Sequence, residues 1–125
     1  MSRTVLLIED NEQNRYLATY LLERHGYRVI AAEDGARGLA LAQECAPDLV
    51  LLDIQLPNLD GYEVARLLRE IDNLAATPII AVTSYAMAGD RERCLMAGCN
   101  GYIEKPINPD TFVTEMEEFG PASDR

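Results

Sequence analysis

Three uninterrupted apolar tetrads, Val5–Ile8, Leu49–Leu52 and Ile79–Val82, constrain this chain more than any other feature. A strand that is apolar at every position has no polar face to turn to water, so both of its faces must be covered. The segments between the tetrads supply the covers. Asn14, Leu17, Ala18, Leu21 and Leu22 recur at helical spacing until Gly26 stops them. Tyr27–Ala32 reads as a second strand and Asp34-Gly35 as a turn. Gly38, Leu41, Ala42 and Cys45 form a second helical stripe ended by Pro47.

The pattern continues past Leu52. Residues 56–61 (LPNLDG) carry turn chemistry, and Val64, Ala65, Leu68 and Ile71 make a helix face. Pro78 opens the next strand. Asp90–Ala97 is a weaker helix with Gly98 as its cap, and Gly101–Ile103 is a short last strand. Pro109 suits a first helical turn, and Phe112, Val113, Met116 and Phe119 follow at helical spacing. Five strand–helix units predict an α/β, doubly wound parallel sheet with right-handed crossovers and helices on both faces. The 125 residues make one domain, 1–125, with a core at 4–119 and a polar tail at 120–125. Ligands of such sheets sit beyond the carboxyl ends of the strands, where the strand order switches.

The polar residues at those ends are therefore informative. Glu9-Asp10 ends the first strand, Asp53 the third and Thr83-Ser84 the fourth, while Glu104-Lys105-Pro106 follows the fifth. Taken singly, Glu9-Asp10 or Thr83 could be helix caps, and Lys105 a solvated lysine. Asp53 after four apolar residues is harder to place, because a buried carboxylate needs a partner. Three acids at one sheet edge repel one another unless a cation joins them. A hard divalent ion fits, and Mg²⁺ fits best where a phosphate and waters complete its shell. A lysine and a hydroxyl beside it could hold phosphoryl oxygens.

Charge narrows the partners. The chain has 21 acidic and 11 basic residues, a formal net charge of −10, which disfavours nucleic acid and anionic lipid. Cys45, Cys94 and Cys99 are an odd number without CxxC spacing, and the lone His25 completes no zinc site with them, so reduced thiols in a cytoplasmic protein are expected. No apolar run reaches the ~20 residues of a membrane span, and the segment after Met1 is too short for a signal-peptide core.

The stretches VLLIEDN (5–11), DLVLLDIQLPNLDGYEV (48–64), PIIAVTSYA (78–86) and GCNGYIEKPI (98–107) together resemble the receiver domain of two-component response regulators, most of all the stand-alone kind. The likeness also extends to receivers appended to hybrid histidine kinases. It implies a flavodoxin-like (βα)5 fold of strand order 2-1-3-4-5. It implies Asp53 as phosphoacceptor. Mg²⁺ would be held by Asp10, by Glu9 through water, by Asp53 and by the backbone carbonyl of Gln55. Thr83 would hydrogen-bond the phosphoryl group and Lys105 would pair with it. Tyr102 matches the switch aromatic, and the Lys105-Pro106 bond resembles one usually cis. Ser84 stands where the family commonly has Ala or Gly.

The resemblance further implies a phosphohistidine donor, either a histidine kinase or a histidine phosphotransfer protein. It implies a downstream protein docking near the fourth helix, fifth strand and fifth helix, and a monomer or phosphorylation-dependent dimer. Gln55 and Tyr85 would flank the path of the water that removes the phosphoryl group, with Tyr85 partly covering it. Two other readings remain at this point. A small haloacid-dehalogenase-like phosphatase also uses an aspartate nucleophile, but wants Asp-x-Asp where this chain has Asp53-Ile54-Gln55, and Gln cannot act as the acid. A pseudo-receiver would bind partners without phosphate, against which Asp10, Asp53, Thr83 and Lys105 are all intact.

Overall fold

The computed structural model describes residues 3–57, 59–84 and 88–119. Strands β1 (Thr4–Ile8), β2 (Arg28–Ala32), β3 (Leu49–Asp53), β4 (Ile79–Thr83) and β5 (Gly101–Glu104) alternate with helices α1 (Glu12–Arg24), α2 (Gly35–Cys45), α3 (Gly61–Arg69), α4 (Ala88–Met96) and α5 (Phe112–Phe119). All strand pairs are parallel, in the order β2-β1-β3-β4-β5, as expected. The polar tail and Tyr85 lie outside the described residues.

The strands' period of two divides the core. Leu6, Ile8, Val50, Leu52, Ile79 and Ala81 pack on one side against α2, α3 and α4, chiefly Ala42, Val64, Ala65, Leu68 and Cys94, with Ala97 just past α4. Val5, Leu7, Leu49, Leu51, Ile80, Val82 and Ile103 pack on the other against α1 and α5, through Ala18, Leu21, Leu22, Phe112, Val113 and Met116. The apolar tetrads are thus covered on both faces, each buried leucine worth roughly 1.5–3 kcal/mol.

The element ends depart from the sequence reading for local reasons. β2 starts at Arg28 because Tyr27 is spent on capping α1: Gly26 takes φ 89° and Tyr27 N–H donates to Leu22 O at 3.1 Å. Gly98 (φ 109°) and Cys99, whose N–H donates to Cys94 O, close α4 the same way. Asp34-Gly35 is not a free turn. Asp34 caps α2, its Oδ1 accepting Arg37 N–H at 2.8 Å, and Gly35 is the first helical residue. Ile71 lies beyond α3 and leads into a 3-10 turn, Asp72–Leu74, that periodicity could not show, since one turn has no period. α5 starts at Phe112, later than the Pro109 reading, although Asn108 O already accepts Phe112 N–H. Cys94 and Cys99 are buried and Cys45 half-buried, all three free.

Candidate functional site

β1 and β3 are central neighbours, and their carboxyl ends carry the acids. Val5 and Leu7 lie on the α1/α5 side of the sheet, as do Leu49 and Leu51. Two residues further on, Glu9 and Asp53 continue the same registers, which is why they meet. One oxygen from each of Glu9, Asp10 and Asp53 lies within 4.8 Å of the others. Glu9 and Asp53 are each 2% exposed, whereas Asp10 is exposed.

Lysine enters from the next strands. Lys105 N–H donates to Thr83 O at 2.8 Å, and the following bond to Pro106 is cis. Its Nζ reaches Asp53 Oδ2 at 3.1 Å and Glu9 Oε1 at 3.2 Å. Burial pulls the Lys105 ammonium down, but Asp53 and Glu9 outweigh it and hold it above its usual value. Burial, then the Asp53 charge, pushes the Glu9 carboxyl up to about 7 against the pull of Lys105. Asp10 is raised too, by partial desolvation and by Asp53. Three carboxylates, two of them buried, beside one ammonium leave excess negative charge in an all-oxygen donor set. That is the environment a hard divalent cation neutralises.

The backbone around the acids is fixed. Neither Glu9 nor Asp10 caps α1; Asn11 does, its Oδ1 accepting Asn14 N–H at 2.9 Å, while Glu9 Oε2 accepts Asn11 N–H at 3.1 Å. Gln55 N–H donates to Asp53 Oδ1 at 2.9 Å. Gly61 closes the β3–α3 loop, its N–H on Ile54 O at 3.2 Å, and a Cβ there would stand 2.4 Å from Ile54 Cα. Only glycine permits that approach.

Thr83 is buried at 1% exposure. It lies two residues past Ala81, on the α2/α3/α4 side, and Tyr102 pairs with Ala81 across the ladder. Thr83 and Tyr102 therefore share a face. Tyr102 is half-buried, with the Arg91 guanidinium 5.9 Å from its ring centre. Glu9, Asp10, Asp53, Gln55, Thr83, Ser84 and Lys105 thus fall at this sheet edge, whereas Tyr102 sits further back in the ladder, opposite Ala81.

Two contacts escaped the sequence reading. Arg15 Nη1 donates to Glu9 O at 2.9 Å and more weakly to Asp10 O at 3.4 Å, bracing the acidic turn; its place one turn past the Asn11 cap was the available signal. Gln55 Oε1 accepts Ser84 N–H at 2.9 Å, and nothing in the sequence marks it. The groove between α2 and α3, lined by Leu39, Leu67 and Ile71 with a volume near 580 Å³, holds none of these residues.

A sequence model of the response regulator receiver domain matches residues 5–117. The polar-differentiation response regulator DivK of Brucella anthropi is 44% identical over 119 residues, spanning 95% of this chain and 97% of that protein. The chemotaxis response regulator CheY4 of Vibrio cholerae superposes with a TM-score of 0.92 at 27% identity, covering 95% of this chain and 99% of that one. The receiver domain of a sensor histidine kinase from Pseudomonas aeruginosa, whose structure holds a magnesium ion in its active-site cleft, superposes with a TM-score of 0.86 at 37% identity over 95% and 98%.

Proposed function

The chain belongs to the response regulator receiver domain family, and on that premise we propose that Asp53 takes a phosphoryl group from a phosphohistidine and that the phosphorylated domain signals through protein contacts. The observation that carries the reading is the convergence of Glu9, Asp10 and Asp53 with the Lys105 ammonium 3.1 Å from the Asp53 carboxylate.

In this reading an Asp53 oxygen forms the new P–O bond as the donor's P–N bond breaks. Lys105 already sits on Asp53 Oδ2 and would follow charge onto the phosphoryl oxygens. The Gln55 amide holds Asp53 Oδ1, so the carboxylate presents one fixed edge. Glu9, Asp10, Asp53 and the Gln55 carbonyl would hold Mg²⁺, which when bound neutralises the charge of the transferring group. Later attack by water on phosphorus releases inorganic phosphate and restores the carboxylate. The protein is in this sense a switch that takes part in its own phosphorylation, not a multiple-turnover enzyme.

The phosphoryl group would draw in Thr83, and Tyr102 on the same face would respond. The output is then read on α4, β5 and α5 by a partner protein, with the chain a monomer or a phosphorylation-dependent dimer. The donor would be a histidine kinase or a phosphotransfer protein. A net charge of −10 sets nucleic acid aside. Among the described residues no helix is long and apolar enough to cross a membrane, in keeping with a cytoplasmic role. The test is intact mass after acetyl phosphate and Mg²⁺. Wild type gains one phosphoryl group and Asp53→Ala gains none; stoichiometric labelling of the variant would overturn the assignment.

A further inference from the structure

The β3–β4 ladder runs out at the site, and one donor is left over. In a parallel ladder both backbone groups of a residue turn to the same neighbour, and successive residues turn to opposite neighbours. Ile54 N–H donates to Val82 O at 3.1 Å, so Val82 faces β3; Lys105 N–H donates to Thr83 O, so Thr83 faces β5. Ser84 N–H therefore faces back toward β3. There the next carbonyl in line, that of Ile54, already accepts Gly61 N–H at 3.2 Å. The Ser84 donor goes instead to the Gln55 side chain, at 2.9 Å. Gln55 also holds Asp53 Oδ1 through its own N–H. One half-buried residue thus bridges the candidate acceptor and the first unladdered donor of the neighbouring strand.

Resting on the Asp53 reading above, we propose that the Gln55 carboxamide is a placeholder for a phosphoryl oxygen at Ser84 N–H, displaced when Asp53 is loaded. A phosphoryl oxygen carries negative charge and the amide carbonyl does not. A charge-assisted bond is roughly twice as strong as a neutral one, so the exchange runs toward the phosphoryl group. The resident bond still has to break, and this lowers the apparent affinity for the group. A neutral hydrogen bond of ordinary net strength corresponds to about five-fold. Gln55 is then a positioning residue that sets how readily the site loads. Ser84, although larger than the family's usual Ala or Gly, still offers its backbone donor.

The experiment is a titration with beryllofluoride, a phosphoryl mimic, at saturating Mg²⁺, followed by the ¹⁵N signals of the Ser84 amide and the Gln55 side chain. In wild type both signals move on binding. Gln55→Ala and Gln55→Asn, whose side chains are too short to reach Ser84, bind about five-fold more tightly, and their free Ser84 amide signals are shifted from wild type. Equal or weaker binding in both variants, or a Gln55 side-chain signal that does not move in wild type, would overturn the placeholder while leaving the phosphoacceptor reading intact. No binding by wild type would overturn both.

Discussion

Replacing Glu9 by glutamine should make the metal-free protein more stable, and only at neutral to alkaline pH. Glu9 is 2% exposed and shares its space with the Asp53 carboxylate, and the Lys105 ammonium 3.2 Å away offsets only part of the cost. Its proton is held up to about 7, against an ordinary value of 4.5. Between those values the folded chain keeps a proton the unfolded chain has lost, so stability falls as pH rises through 4.5 to 7 and is level beyond about 8. The linkage sets a ceiling of roughly 3 kcal/mol, and relaxation in the variant reduces the expected gain to about 2 kcal/mol. Glutamine keeps an oxygen for Asn11 N–H, which now bonds Glu9 Oε2. Urea unfolding in chelator at pH 4.5 and pH 8 is the assay. The two proteins should match at the acid end and separate at pH 8, with Glu9→Gln the more stable. A variant less stable at pH 8, or a gap of the same size at both values, would show that burial and the Asp53 charge are not what load Glu9.

Lys105→Met strands Glu9 and Asp53 without their ammonium and should cost about 2–4 kcal/mol at pH 8; the loss should shrink at pH 5, where Glu9 is protonated, and equal losses by urea unfolding would contradict the ion-pair account. Gly61→Ala drives a Cβ to 2.4 Å from Ile54 Cα, where only backbone can yield, so a loss of about 3 kcal/mol or more and weakened beryllofluoride binding are expected. A melting temperature within a degree of wild type would refute the close approach. Ala46 caps α2 at φ 44°, in the left-handed region, so Ala46→Gly should stabilise by about 0.5–1 kcal/mol in thermal unfolding. A destabilised variant would mean that the cap carries no strain.

The architecture was legible because covering is a local demand. Tetrads such as Leu49–Leu52 can be satisfied only from both sides, and the helical stripes beside them supply the apolar faces. The edge where the candidate residues gather was legible too, since parallel strands all end at one edge of the sheet and Glu9, Asp53 and Thr83 each close or follow one. Ends set by hydrogen bonds were not. Tyr27 and Asp34 have strand and turn character by composition, but a helix end claimed both.

The sequence by itself determined which residues arrive at the site; the tertiary structure decided how they engage. That Lys105 faces Asp53 and Glu9 at once, 52 and 96 residues away in sequence, depends on β4 lying beside β3 and β5 beside β4. The grip of Arg15 on the acidic turn and of Gln55 on Ser84 depends on where backbone groups are left unladdered. Residue types and spacings fix the pattern along a strand, whereas the Ser84 amide leaves the ladder only because the Ile54 carbonyl across from it has gone to Gly61.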